Sequence, residues 1–544
     1  MMDEFAMDGL QRARQSYVPT LPLILKELVL VHLVKVDDGP KNNHPIEALF
    51  PLTHGQALLK GQKGQVRHGR PLQVGVVLSG GQAAGGHNVI SGIFDALKQL
   101  NHASKLFGFL DGPGGIISGK ARELTAGILA PYRNQGGFDM IGSGRAKIET
   151  EEQLKQSLDV VQRMQLDGLV VIGGDDSNTN AAVLAEYFLK NGSFTKVIGV
   201  PKTIDGDLKN PHVAISFGFD TACKTYSEII GNIARDAASA KKYTHFIKLM
   251  GRSASHVALE CALATRPNLT LIGEEIAAQK KTLSQITHEI ADLICRRAES
   301  GKDFGVILIP EGLIEFIPEM EVLIKELNRI LAQGGAMTLS QVSNQLSPAS
   351  QGCFASLPEK IQQQLMQSRD PHGNVKVSLI ETERLLIETV SKELEERHKK
   401  GIYKGEFAPI QHFLGYEGRA GYPSNFDCNY CYALGFTATL LIDHGMTGYM
   451  AAISGLTLPV EEWGISGVPL TSLMHIEMRK GKEKPVIQKA LVDLKGKPFA
   501  LFQQQREHWK LDEDYRYPGP IQFFGGSRLT DRVPLTLLLE AEKR

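Results

Sequence analysis

The pattern of hydrophobic and polar positions becomes regular from residue 71 onward. Short β-rich runs alternate there with helix-like segments, and the runs are LQVGVVLS, KLFGFLDG, LDGLVVIGG, TKVIGVPK, THFIKLMG, LTLIGEE and DFGVILIPEG. Between two of them, EEQLKQSLDVVQRMQLD places Leu154, Leu158 and Val161 on one helical face, as a helix that covers a sheet requires. The alternation is typical of an α/β fold with a doubly wound, mainly parallel sheet.

Three regions lie outside this alternation. Residues 1–70 carry no recognisable chemistry and are predicted to form an N-terminal extension. The stretch from about 313 to 405 is rich in helix formers and charge, which predicts a helical insertion. Residues 481–544 are predicted to form a C-terminal tail that packs on the lobes.

Length and charge narrow the class of function. A chain of 544 residues is long enough for two or more packed lobes. Its 60 basic and 60 acidic residues cancel, which argues against nucleic acid or an anionic membrane as partner. Any binding of anions must therefore be local.

Two further features bear on the compartment. The run LPLILKELVLVHLV, residues 21–34, is interrupted by Lys26 and Glu27 and is too short to span a membrane, so we interpret it as a core or interface element. Six cysteines in so long a chain do not form a disulfide framework, and no secretory leader is visible. A cytoplasmic location is expected.

Four glycine-rich loops follow predicted strands and are candidates for phosphate binding at helix N-termini. They are LSGGQAAGGHN (78–88), FLDGPGGIISGK (109–120), IGGDDSN (172–178) and VPKTIDGD (200–207). One such turn is weak evidence, because tight turns need glycine whatever the function. The second loop is no P-loop, since Ala121 stands where a magnesium-binding Ser or Thr belongs. Cys428 and Cys431 lack partners at zinc spacing and are interpreted as buried small residues.

Asp175 and Asp176 stand side by side in the third loop. Carboxylates at a helix N-terminus are common, but that reading explains one aspartate better than two. If phosphate binds in this crevice, bare carboxylates would repel it, so the pair makes sense only with a divalent cation and nearby basic side chains. Lys202 and Arg145 are the candidates for that basic role, with Asp205 close by in the chain.

The order of short motifs resembles the phosphofructokinase family. GGDDS is followed by PKTIDGD, then LMGR (249–252), PEG (310–312) and GYEGR (415–419). SFGFDTACKTYSEIIGN and KKYTHFIKLMGRSASHVALECAL are similar to the long, pyrophosphate-dependent class of that family. The resemblance covers about 71 to 480 and includes the helical insertion typical of that class.

This resemblance implies two Rossmann-like, three-layer lobes. Residues 71–212 would form the lobe for the phosphate donor, completed by part of 416–480, and residues 213–415 the lobe for fructose 6-phosphate. The implied reaction moves a phosphoryl group from pyrophosphate to the C1 hydroxyl of fructose 6-phosphate, with Mg²⁺ as cofactor. ATP-using members have glycine at the position of Asp176, and a small residue at that of Lys202, so both residues imply pyrophosphate as donor.

Roles for individual residues follow from the same resemblance. Asp205 would be the general base and Arg252 would stabilise the transferring phosphoryl group, with Asp176 and Lys202 setting the donor and Asp175 binding Mg²⁺. Lys242 and Tyr243 would come from a neighbouring subunit, so a homodimer with shared active sites is expected. The remaining implied substrate-binding residues are Gly81, Arg145, Thr203, Ile204, Met250, Gly251, Glu311, Tyr416, Glu417, Gly418 and Arg419.

Three alternatives are weighed against this hypothesis. An ATP-dependent phosphofructokinase would share most of these motifs. NAD and lipid kinases use a GGDG-type loop but lack PKTIDGD and MGR at these spacings. Non-catalytic regulatory subunits lose the Lys and Asp of PKTID, whereas this chain keeps Lys202 and Asp205.

Overall fold

The computed structural model of the protein describes residues 9–37, 44–331, 337–367, 375, 377–479 and 482–519. Its strands are β1 (Val31–Asp37), β2 (Leu58–Lys63), β3 (Gln73–Leu78), β4 (Lys105–Phe109), β5 (Ala121–Glu123), β6 (Gly168–Gly173), β7 (Lys196–Pro201), β8 (Tyr243–Leu249), β9 (Leu269–Thr270), β10 (Phe304–Pro310), β11 (Pro409–Leu414), β12 (Tyr449–Ser454), β13 (Gly464–Pro469), β14 (Met474–Arg479) and β15 (Lys482–Ile487).

The helices are α1 (Gly9–Ser16), α2 (His44–Leu49), α3 (Gly86–Leu100), α4 (Pro113–Ser118), α5 (Ala126–Leu129), α6 (Glu151–Arg163), α7 (Asp175–Lys190), α8 (Phe219–Ala240), α9 (His256–Thr265), α10 (Gly273–Ala278), α11 (Leu283–Glu299), α12 (Leu313–Phe316), α13 (Pro318–Leu331), α14 (Leu339–Ser343), α15 (Pro348–Ser356), α16 (Glu359–Leu365), α17 (Thr382–Lys399), α18 (Asn425–Asp443) and α19 (Lys497–Leu511).

The first lobe is built on a nine-stranded sheet in the order β1-β2-β13-β12-β7-β6-β3-β4-β5. Its five central strands, from β12 to β4, are parallel, and the strands at both edges are antiparallel. Alternate residues of β3 face opposite sides, so Val76 packs with α3 and α18, while Val77 packs with α6 and α7. The predicted mainly parallel sheet with helices on both faces is confirmed.

Two strands of this sheet come from the segment that the sequence analysis set apart as an extension. β1 pairs with β2, and β2 pairs with β13 at Ser466 and Gly467. Leu25, Leu28 and Val31 are fully buried, because the run 21–34 packs on the sheet as a core element. Residues 31–37 and 58–63 thus extend the sheet edge.

The second lobe is built on a four-stranded parallel sheet in the order β11-β8-β10-β9. One face, with Ile247 and Leu308, packs on α8 and α9 and shares its core with the first lobe. The other face, with Ile307 and Ile309, packs on α11 and on the helices of 313–405, including α13 and α17. The predicted helical insertion therefore covers one side of this sheet.

The helices α3 and α18 pack closely against each other, and they join the part of the chain before the second lobe to the part after it. A Cβ on Gly92 of α3 would lie 2.4 Å from the Tyr432 carbonyl oxygen, and one on Gly435 of α18 would lie 2.3 Å from that of Val89. Only glycine allows backbones to approach this closely. Cys428 and Cys431 on α18 are fully buried and all six cysteines are free, as interpreted from the sequence.

The part of the C-terminal tail that the structure describes, 482–519, packs on both lobes. β15 pairs with β14 beside the first lobe, and Arg506 of α19 forms a bidentate ion pair with Glu275 of the second. Within the described ranges, no helix combines the length and apolarity needed to cross a membrane. The segment IQFFGG of the tail lies outside the described residues.

Candidate active site

The two sheets direct the carboxyl ends of their parallel strands into one cleft of about 540 Å³. Segments that follow β3, β6, β7, β8, β10 and β11 line it, which is the position where open α/β sheets bind ligands. Most of the predicted site residues lie in this cleft, and they are Gly81, Arg145, Asp175, Asp176, Lys202, Thr203, Ile204, Asp205, Met250, Arg252, Glu311, Tyr416 and Arg419. Residues up to 338 positions apart in sequence are thereby brought together (419 minus 81).

Three of the four glycine-rich loops reach the cleft, and the loop 109–120 does not. That loop instead forms α4 and supports its neighbour, because Asp111 donates its N–H to Ile141 and a Cβ on Gly112 would lie 2.2 Å from the Gly144 nitrogen. The neighbouring segment carries Arg145 and Lys147 into the cleft. The loop 109–120 thus supports the segment that carries Arg145 and Lys147 and does not itself line the cleft.

The loop after β3 forms a cationic cradle with two distant side chains. Gly80 has φ +88°, a backbone conformation that favours glycine, and a Cβ there would lie 3.2 Å from the Lys202 ammonium. A Cβ on Gly81 would lie 2.7 Å from Nη1 of Arg419. Two positive charges and a bare backbone therefore converge on one point, which suits a phosphate group.

The paired aspartates open α7 and have different surroundings. Asp176 Oδ1 lies 3.3 Å from the ammonium of Lys147. Asp175 Oδ2 is buried without a hydrogen bond, and lies 3.5 Å from the ammonium of Lys489. Ser177 Oγ, one residue further, donates to Ser79 Oγ at 2.8 Å and joins this loop to the glycine loop. The loop therefore presents one carboxylate paired with Lys147 and a second whose buried oxygen is paired with Lys489 but accepts no hydrogen bond.

Lys202 and Asp205 follow β7 and are both buried. Burial, assisted by the charge of Arg419, lowers the pKa of Lys202 to about 8. Asp205 and Asp175 oppose that shift, since each favours the charged ammonium. The Lys202 side chain is therefore an ammonium held in a poorly solvated place, where an anionic ligand would stabilise it.

The MGR and PEG segments lie against each other at the second lobe. Glu311 Oε2 accepts a hydrogen bond from the Gly251 N–H at 2.8 Å, and a Cβ on Gly312 would lie 2.1 Å from the Arg252 carbonyl oxygen. Burial raises the pKa of Glu311. Burial would lower the pKa of Arg252, but the nearby carboxylates Asp205 and Asp175 hold it above its usual value. Arg252 is thus a permanent charge facing the acidic side of the cleft.

The GYEGR segment completes the other wall. Arg419 donates from Nε to the Met250 sulfur at 3.0 Å and its guanidinium lies 5.5 Å from the centre of the Tyr416 ring. Tyr416 itself is 67% exposed, so its hydroxyl is open to a ligand. Glu417 and Gly418 do not line the cleft: Glu417 accepts from the Gly415 N–H at 2.7 Å, and Gly418 packs on the Tyr226 ring.

Lys242 and Tyr243 lie at the opposite end of β8 from Met250 and Arg252. The strand runs for seven residues, which separates its ends by roughly 20 Å. Lys242 lies with its ammonium 5.0 Å from the Tyr243 ring, and Tyr243 has φ 77°. Within one chain these two residues do not contribute to the cleft.

The cleft also contains residues outside the predicted site. Asp207, two positions after Asp205, is buried, and burial together with the charge of Asp205 raises its pKa. Lys147, Ser79 and Ser177 also line the cleft. Asp207 lies two positions after the predicted residue Asp205, and Lys147 lies two positions after the predicted residue Arg145. This closeness in sequence is the signal by which both could be found. Ser378 and Leu379, which line the cleft from the helical insertion, carry no motif.

Asp175 offers a suitable ligand for a divalent cation. Its Oδ2 is buried and accepts no hydrogen bond, and a hard cation prefers carboxylate oxygen. Across the described ranges, no group of three histidine, cysteine or carboxylate side chains could hold a metal ion. Mg²⁺ commonly binds through one or two carboxylates plus substrate phosphates and water, so these residues fit that ion in company with a phosphate ligand.

Comparison with known sequences assigns the family. The family model described as Phosphofructokinase matches residues 73–442, more than half of the chain. The chain belongs to the phosphofructokinase family. Its resemblance, inferred above from short motifs, is therefore confirmed.

Two proteins with similar sequences carry related names. The chain is 51% identical over 548 residues to a pyrophosphate–fructose 6-phosphate 1-phosphotransferase of Porphyromonas gingivalis, covering 99% of this chain and 100% of that protein. It is 55% identical over 514 residues to a subunit beta of the enzyme of that name from Solanum tuberosum, covering 93% and 90% of the two chains.

A solved phosphofructokinase structure supports the fold. The crystal structure of a pyrophosphate-dependent phosphofructokinase from Nitrosospira multiformis aligns with a TM-score of 0.52 and 15% identity, covering 83% of this chain and 95% of that one. At this identity the likeness concerns the fold alone. It agrees with the two α/β lobes described above.

Proposed function

We propose that the protein transfers a phosphoryl group from pyrophosphate to the C1 hydroxyl of fructose 6-phosphate, giving fructose 1,6-bisphosphate and phosphate. The proposal is supported by relatives that are similar to nearly the whole chain and are named for this reaction. The observation that carries the choice of donor is a cleft in which Asp176 and the buried Lys202 stand beside the glycine loop. The reaction is reversible and belongs to glycolysis and gluconeogenesis.

Asp205 acts as the general base of the transfer. Its carboxylate takes the proton of the C1 hydroxyl while that oxygen forms a bond to phosphorus and the bridging P–O bond of pyrophosphate breaks. The leaving group is inorganic phosphate. Asp205 is buried close enough to Arg252 for their charges to interact, so the base and a charge-stabilising group sit on the same side of the cleft.

Lys202, Arg419 and Gly81 hold the donor. The two cations point at the glycine loop, where the backbone leaves room for a phosphate group and the positive charges balance it. Arg145 and Lys147 extend this surface on the same wall. Asp175 would hold Mg²⁺, which when bound neutralises charge on the phosphate oxygens.

Asp176 selects the smaller donor. A carboxylate on the donor side repels a further phosphate group, and a nucleotide would bring one there. Lys147 pairs with Asp176 at 3.3 Å, and both side chains line the cleft. Pyrophosphate has no further phosphate group at this position, so Asp176 does not exclude it.

The second lobe binds the sugar phosphate. Glu311 is aligned by the Gly251 N–H and would accept hydrogen bonds from sugar hydroxyls, while Met250, Thr203 and Ile204 shape the surrounding wall. Tyr416 would hold the 6-phosphate end, with Glu417 and Gly418 setting the turn that presents it. The family resemblance places Arg419 at this end too, but its guanidinium lies beside Gly81 and so serves the donor.

A homodimer would complete the site through Lys242 and Tyr243 of the second subunit. Both lie at the amino end of β8, distant from the cleft of their own chain, and Lys242 is exposed. Free cysteines throughout the chain fit a reducing cytoplasm. Neither a nucleic acid nor a membrane surface is suggested as partner by a chain with zero net charge.

Mixing of inactive subunits tests the shared site. Asp205→Asn and Lys242→Ala proteins are each expected to be poorly active alone. After co-refolding or co-expression, the mixed dimer contains one site with both native residues, and activity should return to a substantial fraction of wild type. Mixtures no more active than the sum of the two variants would contradict shared sites.

A donor comparison tests the reaction itself. The purified chain with fructose 6-phosphate and Mg²⁺ should turn over with pyrophosphate, and the reverse reaction should require phosphate. Activity with ATP alone would support the ATP-dependent alternative. A chain inert by itself but active after addition of a partner subunit would support the regulatory alternative, which the retained Lys202 and Asp205 argue against.

A further inference from the structure

Lys489 reaches the acidic side of the cleft from outside the region that matches the family. It follows β15 and lies beyond residue 442, where the family match ends. Hydrogen bonds fix the backbone on both sides of it: Gln488 donates its N–H to the Leu473 carbonyl at 3.0 Å, and Ala490 donates to that of Asp207 at 2.7 Å. The lysine is therefore held by a rigid segment.

The ammonium of Lys489 contacts Ser253 and two carboxylates that line the cleft. It lies 3.5 Å from Asp175 Oδ2 and 3.9 Å from Asp207 Oδ2, and it donates to Ser253 Oγ at 2.8 Å. Only 16% of the Asp175 side chain and 7% of the Asp207 side chain are exposed. Within the described residues, no other Lys or Arg lies within 4.0 Å of either carboxylate.

We propose that Lys489 is a positioning residue that acts through its charge on Asp175 and Asp207 and thereby sets the charge of the metal–pyrophosphate site. This inference rests on the proposed function, because it assigns Asp175 to Mg²⁺ and the neighbouring cradle to pyrophosphate. Asp175, Asp205 and Asp207 form a close acidic group in poorly solvated surroundings, and such carboxylates repel one another. Arg252 and Lys202 interact with these charges, but among the basic side chains of the described residues only Lys489 lies within 4.0 Å of Asp175 and Asp207. Lys489 counters that repulsion through its contacts with Asp175 Oδ2 and Asp207 Oδ2.

The charge of Lys489 has opposite effects on two ligands. A free divalent cation is repelled by a nearby ammonium, so removal of the charge should strengthen its binding. The complex of one Mg²⁺ with pyrophosphate is anionic, so removal of the same charge should weaken its binding. A residue that served only to support the fold would weaken both, because a displaced Asp175 would serve neither ligand.

The test compares Lys489→Met with wild type in two binding measurements. Mn²⁺ is titrated alone, with free Mn²⁺ followed by electron paramagnetic resonance, and the KM for magnesium pyrophosphate is measured at saturating fructose 6-phosphate. Since a nearby charge changes binding by about one order of magnitude at partly exposed sites, we expect Mn²⁺ to bind about fivefold tighter and the KM to rise about tenfold. The KM for fructose 6-phosphate should change less than about twofold.

Two matched variants keep the inference falsifiable. Lys489→Arg keeps the charge and should restore both values toward wild type. Lys484→Met removes a lysine of the same hairpin that pairs with Glu149 at 3.4 Å on the surface, and should leave both unchanged. Weaker binding of both ligands by Lys489→Met, or no change in either, would overturn the proposal.

Failure of the proposed function would be recognised separately. If the wild-type chain transferred no phosphoryl group from pyrophosphate, the proposed reaction would be wrong. The Mn²⁺ titration would still report on the pairing of Lys489 with Asp175. If the wild type were active and the Mn²⁺ affinity of Lys489→Met fell, the reaction would stand and the role of Lys489 would be wrong. Thermal melting of each variant identifies any loss of folding.

Discussion

Replacement of Asp176 by glycine is the most direct test of donor choice. The side chain is 32% exposed, lines the cleft and pairs with Lys147 at 3.3 Å. Glycine removes both the carboxylate charge and its volume. We expect the variant to use pyrophosphate less well and to accept some ATP, because the space and the field that exclude a further phosphate are both lost.

The expected size follows from the position of Asp176. A unit charge about 5 Å from a phosphate oxygen, at an effective dielectric of about 20, costs about 3 kcal/mol. The side chain is one third exposed and Lys147 offsets part of its charge, so we discount this to about 1–2 kcal/mol. That energy corresponds to a rise of about 5- to 30-fold in kcat/KM for ATP.

Initial rates with each donor at fixed Mg²⁺ and fructose 6-phosphate provide the assay. Asp176→Asn is the matched control, since it removes the charge but keeps the volume, and it should admit less ATP than glycine if size contributes. Glycine in the first turn of α7 also removes a favourable charge at a helix N-terminus, worth about 0.5–1 kcal/mol, so thermal melting is measured alongside. An unchanged ratio of ATP to pyrophosphate use in Asp176→Gly would refute the reasoning.

Three further predictions concern other parts of the site and its support. Because the pKa of Lys202 is lowered to about 8 and its charged form attracts the donor, kcat/KM for pyrophosphate should fall as pH rises through that value; a profile that stays flat well above pH 8 would contradict this. Asp205→Asn should lower kcat by about 10²- to 10⁴-fold with a nearly unchanged KM for fructose 6-phosphate, and wild-type single-turnover rates would exclude its role as base. Lys248→Met should lower the free energy of unfolding by about 3–5 kcal/mol, because it leaves Glu383 buried without its partner at 3.1 Å. Urea unfolding measures that loss, and the double variant Lys248→Met/Glu383→Leu should recover most of it.

Elements with strong periodicity could be predicted from the sequence. α6 runs from Glu151 to Arg163 with Leu154, Leu158 and Val161 buried, as the spacing of apolar residues requires. Its start is also local, since Thr150 and Gln153 form a capping box. Such features depend on neighbours within a few residues, so one sequence is enough to find them.

Pairing between strands that are distant in sequence could not be predicted from local sequence patterns. Nothing in residues 31–37 or 58–63 indicates that they join the edge of the large sheet, because pairing of β2 with β13 depends on a strand about 400 residues away. The loop 109–120 has the glycine spacing of a binding loop but packs against the segment 142–144 instead. Composition alone does not distinguish a loop that contacts a ligand from one that supports another loop.

The sequence by itself determined the fold class and the motifs GGDDS, PKTIDGD and MGR. Each motif is a short pattern of adjacent residues, so a single sequence is enough to find it. Only the tertiary structure decided which charges meet. Lys489 pairs with Asp175, and Arg419 with the backbone of Gly81, across hundreds of residues, and Lys248 anchors the insertion through Glu383. Electrostatic interactions depend on distance in space, and that distance is set by how the two sheets pack.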